Sequence, residues 1–268
     1  MMAIRLIFQR HLGLLLLLLL PGGWAQMCSF WETACIDPLA QTAVPLDFSP
    51  LFPDPVTFYY GFDELSTGKG RGPMTKAGFW LRYRNEGINM AVVTSNRTSE
   101  VALRIGNLTG TPSGNTNGCD GVWGRSCSGD VKSALRHAIF NLISSGEVYS
   151  KPLEAALNHM MHDHPRMPNC GAPIFDVASI PVSTFVKERY PASQPPQVKP
   201  AGSWWHPWKV WYIDGMTSDQ QASQIAVGII ARSPAYGSPP PASPDDIQIE
   251  LVCLQAPQGS PVTFSKGP

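Results

Sequence analysis

An α+β fold is what this chain of 268 residues predicts: an antiparallel β-sandwich or folded sheet with an inserted helical hairpin, stapled by disulfides. Three observations carry that expectation. Runs rich in β-branched and aromatic residues alternate at period two on both sides of the chain's middle, two consecutive segments in that middle repeat apolar residues at helical spacing, and six cysteines follow a leader.

The leader comes first. Arg5 and Arg10 precede the apolar run "LGLLLLLLL", and "PGGWAQ" then offers small residues before Gln26. This pattern predicts a secretory signal peptide over 1–25, cut after Ala25. The run is shorter than the roughly 18 to 20 apolar residues a membrane-spanning helix needs, and no later segment comes closer, so no span is expected after cleavage. Cleavage removes two of the 20 basic residues and leaves 18 against 20 acidic ones. A near-neutral chain argues against nucleic acid as a partner. Charged residues make up 15% of the chain, against about 25% in average domains, so uncharged polar groups and sugar must supply solubility. Two sequons, "NRT" at Asn96 and "NLT" at Asn107, would carry that sugar on exposed turns.

Residues 26–55 are spotted with proline and aperiodic, and read as an irregular arm pinned by Cys28 and Cys35; a single α+β domain follows over 56–268. "VTFYYGF", the two halves of "GFWLRYRNEGINMAVVTSN" and "EVALRIGNL" predict three or four antiparallel strands. A glycine- and asparagine-rich loop leads to Cys119 and Cys127. Val131, Leu135, Ala138, Ile139 and Leu142 then repeat at helical spacing after a possible Asp130 cap and stop at Gly146. A second helix opens near Pro152, carries Leu153, Ala156, Leu157 and Met160 on one stripe, and ends before Pro165. The hairpin so formed spans about Ser128 to Asp163. Extended segments return in "FDVASIPVSTFV", "WKVWYIDG", "SQIAVGIIARS" and "IQIELVCLQ", the last preceded by a long proline-stiffened turn.

In an oxidising compartment six cysteines predict three bridges. Short loops favour Cys28 with Cys35 and Cys119 with Cys127, leaving Cys170 for Cys253.

Two segments carry candidate chemistry. "NHMMHDHPRMPNC" sets His159 and His162 three residues apart on the second helix, about 60° apart around its axis. With Asp163 and His206 these are the candidate acid/base residues; Asp214 is a further acid. His159, His162 and Asp163 or His164 have the donor types of a zinc or copper site, but the spacing is no metal signature and no metal is assigned. Helix-end histidines equally satisfy free carbonyls and complement the dipole.

"GSWWHPWKVWYIDG" concentrates aromatics on both faces of a strand and in the loop before it. Trp204, Trp205 and Trp208 are the candidate ligand platform, because indole offers rigid apolar area and one N–H to a sugar ring or flat apolar molecule. Trp211, inside the strand, is expected in the core. "GKGRG" lacks the spacing of a phosphate loop, and "GRSCSG" resembles a nucleophile elbow only superficially. The expectation is a secreted, N-glycosylated protein that binds a carbohydrate or small apolar molecule through the aromatic loop. A secreted hydrolase or cyclase-like tailoring enzyme for a small molecule is the alternative. No cofactor is specified.

Overall fold

The computed structural model describes residues 27–28, 35–36, 40–49, 55–65, 72–82, 96–146, 150–171, 174–185 and 208–256. Among these, two antiparallel four-stranded sheets and a helical hairpin form three layers. The first sheet holds β3 (Ala40–Leu46), β4 (Val56–Leu65), β5 (Met74–Arg82) and β8 (Trp208–Asp214), in that order. The second runs β10 (Gln248–Leu254), β9 (Ala226–Pro234), β6 (Arg97–Arg104) and β7 (Val182–Phe185). A separate ribbon pairs β1 (Met27–Cys28) with β2 (Cys35–Ile36). Of the hairpin read around "NEG", the second half lies outside the described residues.

The helices, numbered in chain order, are α1 (Asp120–Trp123), α2 (Arg125–Ser144), α3 (Pro152–His162) and α4 (Ser218–Ser223). The expected α+β architecture is thus present, and α2 and α3 are inserted between β6 and its neighbour β7. Two details differ from expectation. The arm is not irregular throughout, since Ala40–Leu46 pairs along its length with β4. "AQTAVPL" has a weak pattern and a proline, which an edge strand tolerates; the partner strand imposes the structure. Asp130 is no cap either, because α2 begins at Arg125 after Gly124 at φ 85°. Its carboxylate instead accepts from the backbone N–H (3.0 Å) and side-chain amide (3.2 and 3.1 Å) of Asn169.

The period-two pattern explains the first core. Phe58, Tyr60, Phe62, Phe79 and Leu81 of one sheet face Val101, Leu103, Ile230, Val252 and Leu254 of the other. The second core lies on the far side of β6 and β9, where Val227, Ile229, Ile249 and Leu251 meet Leu135 and Ile139 of α2 and Leu153 and Leu157 of α3. β9 is consequently buried at all nine positions, and its sequence reads as a nearly continuous apolar run. Its one glycine is required by packing. A Cβ at Gly228 would stand 2.7 Å from Cε2 and Cζ of Phe58, whose ring is fully buried. Gly228→Ala is therefore expected to cost about 2 kcal/mol by overpacking, with part of the loss recovered in Gly228→Ala/Phe58→Leu. Urea midpoints of the three proteins test this; an unaltered Gly228→Ala midpoint would refute the interlock.

Two bridges fasten the layers, and their pairing corrects the one expected from loop length. Cys119 joins Cys253, and Cys127 joins Cys170, with Cα atoms 4.9 and 4.8 Å apart. The first ties the loop before α1 to the end of β10, and the second ties α2 to the segment after α3. In the ribbon, the backbone register sets Cys28 opposite Cys35, as a local bridge requires.

Candidate functional site

A cleft opens where the sandwich runs out of strands. Among the described residues β8 ends the first sheet and β7 ends the second, and the cleft lies on that side of the inter-sheet core. Ala77, Leu103, Ile105, Val177 and Ile213 give the cleft an apolar lining, to which Trp211 adds its indole. Register explains the tryptophan's direction: Trp211 opposes Ala77 and Ile213 opposes Thr75, whose side chains point between the sheets. Expected in the core, Trp211 is only half-buried because its strand is an edge. Its indole N–H donates to Ser179 Oγ at 3.0 Å, which fixes the ring plane. Ser179, Asn107 and Asp214 add polar groups to the lining. The cleft holds about 170 Å³, enough for one ring, since an apolar cavity of roughly 150 Å³ accommodates benzene.

The turn that presents Asn107 is built from two left-handed residues, Gly106 at φ 122° and Asn107 at φ 51°. A Cβ on Gly106 would touch Val177 at 3.3 Å, so glycine allows this turn to lie against the 177–179 segment. Asn107 is exposed, as is Asn96 at the start of β6, also left-handed at φ 48°.

A second concavity, a wider groove of about 430 Å³, runs between α2 and α3. Asp130, Ser133, His137 and Asn141 recur along one stripe of α2, and His159, Asp163 and Arg166 face them. Nδ1 of His137 donates to the Ser133 carbonyl at 2.8 Å, leaving Nε2 as the ring's remaining nitrogen. His137 was not singled out in the sequence, although its position one turn from Ser133 and Asn141 on a polar stripe was a readable signal. His162 and His164 are exposed and lie off the groove. His159 and Asp163, four residues apart, thus line the same groove, and His162, three residues from His159, does not. Among the described residues no group of three His, Cys, Asp or Glu side chains could hold a metal ion.

Trp204, Trp205 and His206 lie outside the described residues. Trp208 falls on β8 opposite Trp80. The cleft and the groove share no lining residue.

The groups with shifted protonation sit in neither concavity. Glu100 on β6 is buried, and its carboxylate accepts the backbone N–H groups of Leu153 (2.7 Å) and Glu154 (3.2 Å) at the start of α3. Burial pushes its pKa up to about 7, against the pull of those two N–H groups. Arg104, four residues on, donates from Nε to the Ile174 carbonyl at 2.7 Å; burial lowers its pKa to about 10 while the nearby Asp176 opposes the change. Glu100 joins the second sheet to α3 and Arg104 joins it to the segment before β7, structural tasks that perturb protonation as strongly as catalysis can. Sequence inspection missed both.

No family model, curated protein or solved structure matches the chain. Among the described residues no helix is long and apolar enough to cross a membrane.

Proposed function

We propose that this is a secreted, N-glycosylated protein that binds a small apolar molecule or a single sugar ring against Trp211, in the cleft between the edge strands β7 and β8. The observation that carries the reading is the composition of that cleft: an apolar lining, one oriented indole and three polar groups at its sides. Such an arrangement supplies affinity by burial and orientation by a few hydrogen bonds. The leader, the two disulfides and the exposure of both sequon asparagines support the secretory half of the proposal. The platform proposed here is Trp211, a residue other than the Trp204, Trp205 and Trp208 expected from the sequence, of which the first two lie outside the described residues.

Calorimetric titration with phenol and with N-acetylglucosamine tests the reading. Trp211→Ala is expected to weaken binding of the preferred probe at least about tenfold, equivalent to about 1.4 kcal/mol. Because the ring is half-buried, the same substitution should lower stability by only about 2 kcal/mol, below the cost of a fully buried tryptophan. Equal probe affinity in parent and variant would refute the site.

The enzymatic reading keeps one specific support, the convergence of His137, His159 and Asp163 on the helical groove. That groove shares no lining residue with the tryptophan cleft, so the two readings concern different places on the protein and are tested separately.

A further inference from the structure

We propose that the sugar carried by Asn107 closes the mouth of the Trp211 cleft, so that occupancy of this one sequon governs entry to it. The inference rests on the cleft being a ligand site, and adds the device that regulates it. Three independent features meet at Asn107. It is the acceptor of the sequence "NLT", it is exposed, and it lines the same cleft as Trp211. The left-handed turn at Gly106 and Asn107, packed against Val177, sets the asparagine's backbone at the cleft.

The modification needs a lipid-diphosphate-linked oligosaccharide as donor. Nδ2 of Asn107 attacks the anomeric carbon; the new N–C bond forms as the C–O bond to the diphosphate breaks. The diphosphate carrier leaves with the bonding pair, and the amide loses one proton. The first N-acetylglucosamine is then tethered to a residue that lines the same cleft as the indole, a side chain suited to packing against a pyranose ring. Asn96 provides a control within the same molecule. It precedes β6 while Asn107 follows it, so the two lie roughly 25 Å apart along an eight-residue strand and its flanks. Asn96 also belongs to a different neighbourhood, where its carbonyl accepts from Ala235 N–H (2.9 Å) and Ser238 Oγ (3.0 Å).

The test compares protein from a glycosylating secretory host with its Thr109→Ala and Asn96→Gln variants. Thr109→Ala abolishes the sequon without altering a cleft residue. The readout is broadening of the Trp211 indole N–H resonance by a soluble gadolinium chelate, with that resonance identified by its loss in Trp211→Phe. Broadening should rise about threefold or more in Thr109→Ala and stay unchanged in Asn96→Gln. Trimming the glycan to its first sugar should preserve the shielding. Binding of phenol or N-acetylglucosamine should strengthen at least about fivefold in Thr109→Ala. Absence of sugar on Asn107 by mass spectrometry, or equal broadening in glycosylated and Thr109→Ala protein, would overturn the proposal. Failure of the cleft itself looks different: Thr109→Ala would then expose the indole yet bind neither probe.

Discussion

Cys119→Ala/Cys253→Ala is expected to lower the unfolding free energy by about 5 kcal/mol, the chain-entropy value for a bridge spanning 134 residues. Against a total of roughly 5 to 15 kcal/mol, a loss of that size leaves the protein marginal and its secretion poor. The bridge also holds a local structure that depends on it. Cys253 N–H donates to the Asn117 carbonyl at 3.1 Å, and the Asn117 side-chain amide donates to the Leu251 carbonyl at 2.8 Å. Both cysteines are fully buried, so alanine is the right replacement; serine would add an unsatisfied hydroxyl. Cys127→Ala/Cys170→Ala opens a loop of 43 residues and should cost about 4 kcal/mol. Urea unfolding of the two double variants gives the ranking. Non-reducing peptide mapping gives the pairing, and a peptide linking Cys119 to Cys127 would contradict this structure.

That pairing shows where the sequence stops informing. Loop entropy favours Cys119 with Cys127, but the chain between them is spent on α1 and on a turn at Gly124 that redirects it. Each cysteine thereby meets a partner from a different layer, and only tertiary contacts reveal which. The elements themselves were legible because packing imposes a period. β4 and β5 bury alternate residues between the sheets, while Val131, Leu135, Ile139 and Leu142 of α2 hold one face on the second core. The Thr217–Gln220 capping box of α4 is an equally local signal. It matters, since α4 delivers Gln221 into the core, where its amide donates to Tyr60 Oη at 2.8 Å and its carbonyl accepts from Thr75 Oγ1.

The site was less legible than the fold, for a related reason. "WKVWYIDG" announces an aromatic strand, but whether Trp211 is core or cleft depends on β8 being an edge. Strand order is a long-range property that no local pattern encodes. The same holds for His137 and His159, which become neighbours of one groove only after α2 and α3 fold back on each other. Glu100 is the extreme case, a charged residue in "EVALRIG" that local pattern would place in solvent.

Glu100 also gives the second large effect expected. Its carboxyl is held at about 7 in the folded protein against 4.5 for a free glutamate side chain. Between these values the folded state keeps a proton that the unfolded state has released, so folded protein binds more protons and stability falls as pH rises. This group's contribution is fully present below pH 4.5 and lost by about pH 7. The interval corresponds to about 3 kcal/mol at 1.36 kcal/mol per unit. Glu100→Gln removes the ionisation and keeps one oxygen for the Leu153 N–H, sacrificing one bond worth about 1 kcal/mol. The variant should accordingly be about 2 kcal/mol more stable than the parent at about pH 8, yet slightly less stable below pH 4.5. Glu100→Ala, which leaves both α3 amides without an acceptor, should be destabilised at the acid end by about 2 to 3 kcal/mol. Taking the difference between parent and variant across pH cancels every other titrating group that does not touch Glu100. Hydrogen exchange at both Leu153 and Glu154 should quicken in the alanine variant, whereas in the glutamine variant Leu153 should stay near the parent's rate and only Glu154 should quicken. Parallel pH profiles for parent and Glu100→Gln would show that the carboxyl keeps its ordinary protonation, and that burial against the start of α3 is fully offset by the two amides it accepts.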